Sequence, residues 1–398
     1  MIRRFLESLE DDEMPFFAPN YWIMKKSGLI LPDTGLLKYV YVIIHLTGTL
    51  FIVSQYVELY VIRSDINLVI SNLMITMMSE VCFLKADSCV FWQKQWRELI
   101  DYITEADKFE RDNSDQVKRK IFDKYKTYCR KISYSYWAIT FTTFIVLIST
   151  PLIHFLPFPS QNEVPQNRTE VFSPIFSSWM PFDKYSSPGC WITALWHISL
   201  CASGGLSMTA YDCSSIVIMM FFECKLDLFR QRCREMLGSN DKAISDQDAE
   251  IVIRQLHEIH IKIIKYMRLF NSLLSPLMFF YIFNCSLMLC ACGYQITSTS
   301  NAAQRLLVGE YFVFGIAQLF VFCWHSNKVI VKIDSLMYGP FESNWCPASV
   351  RQKKYVLFLS GQLRIQHIFT AGPFTNLTLS TFITILKGAY SYYMLLRK

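Results

Sequence analysis

Few side chains in this sequence could do chemistry, and their spacing points to a binding or conducting surface rather than a reaction. His45, His154 and His197 sit in separate apolar runs, without the partners that would hold a metal or build a nucleophile and base. No metal, cofactor or catalytic residue is expected. The stretch TNLTLSTFITILKGAYSYYMLL, residues 375–396, is of another kind. As a helix it is long enough for a hydrocarbon core of roughly 30 Å, and it carries one charge, Lys387. Stepping back from Leu395 at helical spacing meets Ser391, Gly388, Thr384 and Thr381, a stripe of small and hydroxyl-bearing side chains closed by a leucine. Phe382, Ile385, Leu386, Ala389, Tyr393 and Leu396 fall on the opposite face. Two readings stand side by side. Small residues let a neighbouring helix pack closely. Alternatively the stripe lines water, and the leucine gates it by dewetting.

Ionisable groups inside apolar runs cost on the order of 2.5–3.5 kcal/mol on insertion scales, so each needs a partner. Glu80 and Asp212 are expected to pair with polar groups inside a helix bundle. Lys387, a quarter turn from the stripe, is expected to face a neighbouring subunit or a watery vestibule.

The elements that position these residues are membrane spans. Of 398 residues 52% are hydrophobic and 15% aromatic against 18% charged, too apolar for a soluble chain of this size. Spans are predicted over residues 37–59, 66–85, 132–156, 190–222, 272–296, 306–327 and 375–396. They divide the chain into an interfacial N-terminal segment (1–36), six spans (37–327), an anchor (328–373) and the striped last helix (374–398). Short helices lying on the membrane surface fit residues 1–36. Residues 86–131 read as helices continuing past the membrane. Residues 223–270 read as two amphipathic helices broken at Gly238-Ser239-Asn240, and the anchor holds a basic amphipathic helix over 349–369. The N-terminus has no uninterrupted apolar core of the kind a cleavable signal peptide needs. The loop 157–189 carries the glycosylation sequon Asn167-Arg168-Thr169. Most of the thirteen cysteines sit in apolar segments, so no extracellular disulfide framework is expected.

The net charge of +6 reflects topology rather than affinity for nucleic acid, because the bases lie between spans. Lys and Arg number five in residues 1–38, twelve in 85–131, nine in 223–270 and six in 328–364, together 32; the opposite side of the spans holds six. By the positive-inside rule the N-terminus is cytoplasmic and the C-terminus extracellular. That is the reverse of a G-protein-coupled receptor, and neither an Asp-Arg-Tyr after the third span nor an Asn-Pro-x-x-Tyr in the last is present.

The stretch SNWCPASVRQKKYVLFLSGQLRIQHIFTAGPF, residues 343–374, followed by a helix ending LKGAYSYYMLL, resembles the C-terminal signature of insect odorant receptors. Order and position carry the resemblance: a Trp, a basic helix, an Ala-Gly break, then a last helix with Tyr-Ser near its end. Cys346 stands where an aromatic is common, and Arg397 and Lys398 make the tail basic. The resemblance implies an all-α membrane fold of seven helices, with the last helix of each of four subunits lining a cation pore. Matching the SYYMLL end puts Leu395 at the gate, with Ser391, Gly388 and Thr384 behind it.

The family's ligand pocket lies in the outer half, between the second, third, fourth and sixth spans. Here those segments offer Met74, Met77 and Met78; Phe144, Ile145, Ile148 and Leu152; Trp196, His197, Leu200, Cys201 and Gly204; and Tyr311, Phe312, Phe314 and Gly315. Soft methionines and aromatic walls suit a small apolar molecule. The universal co-receptor of the family is longer in its second cytoplasmic loop region, and that insertion is missing here. The resemblance therefore implies an odour-tuning subunit, paired with the co-receptor in a heterotetramer in the plasma membrane of sensory neurons and opened by a volatile ligand. A gustatory-type channel of the same architecture and, further off, a G-protein-coupled receptor are the alternatives.

Overall fold

The computed structural model describes residues 9–11, 13–113, 115–153, 174–238, 244–298, 302–365 and 368–396. The described helices are α1 (Ala18–Lys26), α2 (Leu36–Val61), α3 (Ile66–Phe91), α4 (Gln93–Asn113), α5 (Gln116–Ile153), α6 (Gly189–Glu235), α7 (Asp246–Ser298), α8 (Ala302–Leu336), α9 (Val350–Leu363) and α10 (Leu379–Leu396). A 3-10 turn (Gly339–Glu342) and a two-stranded antiparallel hairpin, β1 (Thr370–Ala371) with β2 (Thr375–Asn376), complete the described part. Six helices, α2, α3, α5, α6, α7 and α8, are long and apolar enough to cross a membrane. α10 is about 27 Å long at 1.5 Å per residue. Its described side chains run from Leu379 to Met394.

α6 is the axis of the bundle. Every residue from Ser207 to Leu226 is buried, so this stretch has no solvent or lipid face and reads apolar all round. α2 and α5 flank it and turn Val40, Ile43, Leu50, Ile139, Phe141 and Ile145 outward, the face a lipid-bathed helix shows. Local chemistry sets several helix starts. Asp65 accepts from Leu68 N, Asp115 from Val117 N and Lys118 N, Ser245 from Asp248 N, and Ser349 from Gln352 N. Each satisfies an orphan donor of a first turn.

Three expectations shift. The N-terminal segment does not simply lie on a membrane: Phe16 and Phe17 are buried, Phe16 packs on Phe122 and Phe221, and its N–H donates to Asp107. The third span, in line with helices that continue past the membrane, belongs to one helix that starts at Gln116. The basic anchor helix stops at Leu363 rather than 369, because the chain then turns into the hairpin. Lys85, tallied among the loop cations at the foot of the second span, is inside the bundle.

At the end of the bundle away from residues 174–188, ion pairs bind the helix extensions together. Glu110 accepts from Lys225 (2.6 Å) and Arg232 (2.8 Å), and Asp227 from Lys332 and from Tyr125 Oη. Glu342 sits between Arg230 and Arg234, whose hydrogen bonds, Arg230's first, hold its carboxyl below the usual range. Burial pulls the Lys225 ammonium down, with Glu110 opposing it.

The hairpin ties the foot of α10 to α7. Asn271 accepts from Thr370 N, the Ser275 and Thr370 hydroxyls share a hydrogen bond, and Gly372 N donates to Ser275 O, one residue before Pro276 inside α7. Gly372 has φ +68, and a Cβ there would lie 2.7 Å from the Phe279 ring, so both backbone and space demand glycine.

Candidate functional site

Near the end of the bundle that carries residues 174–188, the helices leave an apolar cavity of about 90 Å³. Its walls are Ile75, Met78, Ser79, Cys82 and Phe83 of α3; Thr140, Thr143, Phe144 and Leu147 of α5; Leu200, Cys201, Gly204, Gly205 and Met208 of α6; and Tyr311 and Phe314 of α8. Phe51 of α2 and Phe176 of the loop close it. The Thr140 and Thr143 hydroxyls donate to Tyr136 O and Ile139 O of their own helix, which leaves their methyl groups to the cavity. Gly204 matters by what it lacks: a Cβ there would stand 3.5 Å from Phe83, so larger side chains would enter the space.

The roof is a pinned loop. Phe176 N donates to His197 Nδ1 (3.3 Å); His197 Nε2, which then carries the proton, donates to Ser178 Oγ (2.9 Å). Lys184 bridges Glu58 (2.7 Å) and Ser178 O (2.8 Å), and Trp179 N donates to Ser54 O. Phe51, Phe176 and His197 meet edge to face at 5.4–5.7 Å, an arrangement that adds to the burial of each ring.

A smaller chamber of about 20 Å³ opens beside the first and shares Met78, Met208, Tyr311 and Phe314 with it. Met77, Val81, Tyr281, Asn284, Cys285, Met288, Gly315 and Gln318 line the rest. Beneath it lies the polar hub of the bundle. Asp212 accepts from Lys85 Nζ (2.7 Å), Tyr136 Oη (2.7 Å) and Gln318 Nε2. Tyr281 Oη donates to Gln318 Oε1 (3.1 Å), and the Lys85 ammonium stands 4.6 Å from the Tyr281 ring centroid. Side chains of α3, α5, α6, α7 and α8 are joined at one point. Glu80 accepts from Tyr56 Oη (2.7 Å), and His45 Nε2 meets Gly28 O at 3.3 Å.

Of the residues expected at a pocket, Met77, Met78, Phe144, Leu200, Cys201, Gly204, Tyr311, Phe314 and Gly315 line the two chambers. Met74, Ile145, Ile148, Trp196, His197 and Phe312 do not. Met74 packs on Cys292 Sγ, Ile145 is 50% exposed and Trp196 39%, both on the outer face, and His197 holds the roof instead of lining the space. The Leu152 side chain, His154 and Asn167 lie outside the described residues. Sequence reasoning missed Phe51, Phe176 and Asn284, which belong to two helices and a loop that it did not search, and Lys85, the partner of Asp212.

On α10, Thr384 and Ser391 are exposed and face away from the bundle, while Ile385 and Ala389 are buried against it. Phe382 stacks edge to face on Phe320 of α8, and Tyr393 rests on Gly293 of α7. The Thr384 and Ser391 hydroxyls donate to Ser380 O and Lys387 O, and a Cβ at Gly388 would meet open space. Lys387 is exposed beside this stripe. The Leu395 side chain, Arg397 and Lys398 lie outside the described residues. The thirteen cysteines are free, and the described residues hold no metal-binding group of His, Cys, Asp and Glu.

Long apolar helices packed around a small apolar cavity make this a multi-pass helical membrane protein. The family follows from the sequence: residues 65–390 match the family model for the 7tm odorant receptors, and the chain belongs to the odorant receptor family. It is 27% identical to Odorant receptor 10 of Aedes albopictus over 54% of its own length and 57% of that protein's. It is 22% identical to the Odorant receptor coreceptor of Anopheles gambiae over 35% of its length and 29% of that protein's. The chain thus spans little more than half of the first of these relatives. In fold it is similar to the insect olfactory receptor OR5 of Machilis hrabei, solved in complex with eugenol, with a TM-score of 0.79, 16% identity, and coverage of 97% of this chain and 99% of that one.

Proposed function

We propose that the chain is the odour-tuning subunit of a ligand-gated cation channel in the plasma membrane of sensory neurons, assembled with the family's co-receptor into a heterotetramer. The apolar cavity between α3, α5, α6 and α8 carries this reading. A small volatile molecule fits such walls without needing charge. Cytoplasmic placement of the N-terminus is supported by the bases between the spans, gathered with their acids at the far end of the bundle. The C-terminus is then extracellular, as is the loop bearing Asn167.

In the assembled channel the stripe of Thr384, Gly388 and Ser391 lines the water path and Leu395 closes it. Outward exposure of Thr384 and Ser391 on the single chain supports this assignment. The ligand opens the pore only by as much as it binds the open state better than the closed one.

The test is expression with and without the co-receptor in cells whose G proteins are blocked. An odorant-evoked cation current in co-expressing cells alone is the expected result. A current abolished by the block would refute the channel reading.

A further inference from the structure

We propose that the small chamber beside the cavity is a head-group site, and that the ligand is an apolar body bearing one hydrogen-bonding oxygen, which meets the side-chain amide of Asn284. This deepens the reading above and rests on it. The polar side chains that line the chamber are Tyr281, Asn284, Tyr311 and Gln318. Two of them are engaged with each other and with the hub below: Tyr281 Oη donates to Gln318 Oε1, while Gln318 Nε2 donates to Asp212 and Tyr136. Asn284 is 6% exposed and, among the described residues, has no hydrogen-bond partner. An amide has two donors and two acceptor sites, and leaving them unmet away from water is costly.

Size decides what can meet them. A cavity needs roughly 10–15 Å³ to hold one water, so the 20 Å³ of this chamber admits a hydroxyl or carbonyl group and no carbon skeleton. The 90 Å³ next door is the room for the skeleton, and Met78, Met208, Tyr311 and Phe314 line both chambers and stand between them. Two further hydroxyls without a described partner line the large chamber: Ser79, which is only half-buried and so keeps access to other partners, and Tyr311, which is buried and lines both chambers. Asn284 and Tyr311 are therefore the groups that can meet the oxygen, and of the two only the amide belongs to the small chamber alone.

The experiment compares oxygenated compounds with their parent hydrocarbons on the receptor co-expressed with its co-receptor: octanol with octane, heptanal with heptane, acetophenone with ethylbenzene. Wild type is expected to respond to members of the oxygenated set at lower concentration than to the matched hydrocarbon. Asn284→Leu should reduce that preference by about 10-fold or more, whereas Asn284→Gln, which keeps an amide, and Ser79→Ala should retain most of it. Surface labelling confirms that each variant reaches the membrane, and Asn284→Thr replaces the leucine variant if that one does not. Equal potency within the pairs on wild type, a preference unchanged in Asn284→Leu, or one lost in Ser79→Ala overturns the proposal and leaves the channel reading standing. Failure of every compound to evoke current in wild type overturns both the ligand class and the channel reading.

Discussion

Removing Lys85 should unfold the receptor more effectively than removing both charges of its pair. Lys85 and Asp212 are 1% and 0% exposed and 2.7 Å apart. At an effective dielectric constant near 20 their attraction at 2.7 Å is roughly 6 kcal/mol. Desolvating the two ions costs several kcal/mol each, so the intact pair contributes little net stability over an apolar one. A single charge left alone is another matter. Lys85→Met strands the Asp212 carboxylate, with only Tyr136 and Gln318 to hold it, and should cost about 3–5 kcal/mol. Asp212→Asn strands the ammonium among the rings of Tyr211, Tyr281 and Phe322, at a similar cost. Lys85→Met with Asp212→Asn leaves a neutral amide that still hydrogen-bonds Tyr136 and Gln318, and the double variant should be more stable than either single one. The assay is the unfolding midpoint of the tagged receptor in detergent, followed by size-exclusion fluorescence, as a double-mutant cycle. Because the double variant should cost less than either single one, the coupling is expected to reach about 3 kcal/mol or more, the top of the range for residues in contact. A wild-type midpoint for Lys85→Met, or single effects that simply add, would refute the closed interior pair.

Two further perturbations test the roof end and the far end separately. A Cβ at Gly48 would stand 2.1 Å from the Phe83 ring, so Gly48→Ala should push that ring into the cavity and weaken agonist potency about tenfold, on the scale of one methylene in an apolar pocket. An unchanged concentration–response curve at normal surface delivery would count against the cavity as the ligand site. At the other end, the pKa of Glu342 is depressed by Arg230 and Arg234, so its stabilising contribution is complete above the ordinary carboxylate range and is lost as pH falls through the lowered value. The pairs are partly exposed, which limits this to about 0.2–1 kcal/mol. The unfolding midpoint of wild type should accordingly drop on acidification more than that of Glu342→Gln, and parallel pH curves would show that the pairs carry no linkage.

Much of the scaffold is legible in the sequence because membrane helices announce themselves locally, by length and by the placement of charge. The break at Gly238-Ser239-Asn240 falls between the described ends of α6 and α7. Contacts are legible only as far as one helix face can be tracked. Phe144 lines the cavity and Ile145, a third of a turn on, faces outward; the sequence has both as large apolar residues of one span and nothing local to rank them. His197 is one turn from Leu200, but the loop that claims it is joined by contacts no periodicity encodes. Lys85 read as a loop cation because it ends an apolar run, and its partner lies 127 positions away. Asn284 escaped because the fifth span was set aside, and because an amide in an apolar helix reveals its lack of a partner only once its neighbours are in place.

The hairpin clamp has a mechanical consequence. The hairpin just before α10 is hydrogen-bonded to α7 through Thr370 and Gly372, whereas beyond it α10 is held by packing alone, Phe382, Ile385 and Ala389 along its length and Tyr393 on Gly293 near its far end. A rod held this way has a fulcrum, and swings most where it is held least. With a lever of about 27 Å, a tilt of roughly 10° would sweep the tip through an arc of nearly 5 Å while hardly disturbing the base. Thr384, little more than a quarter of the way along, would travel far less than Ser391.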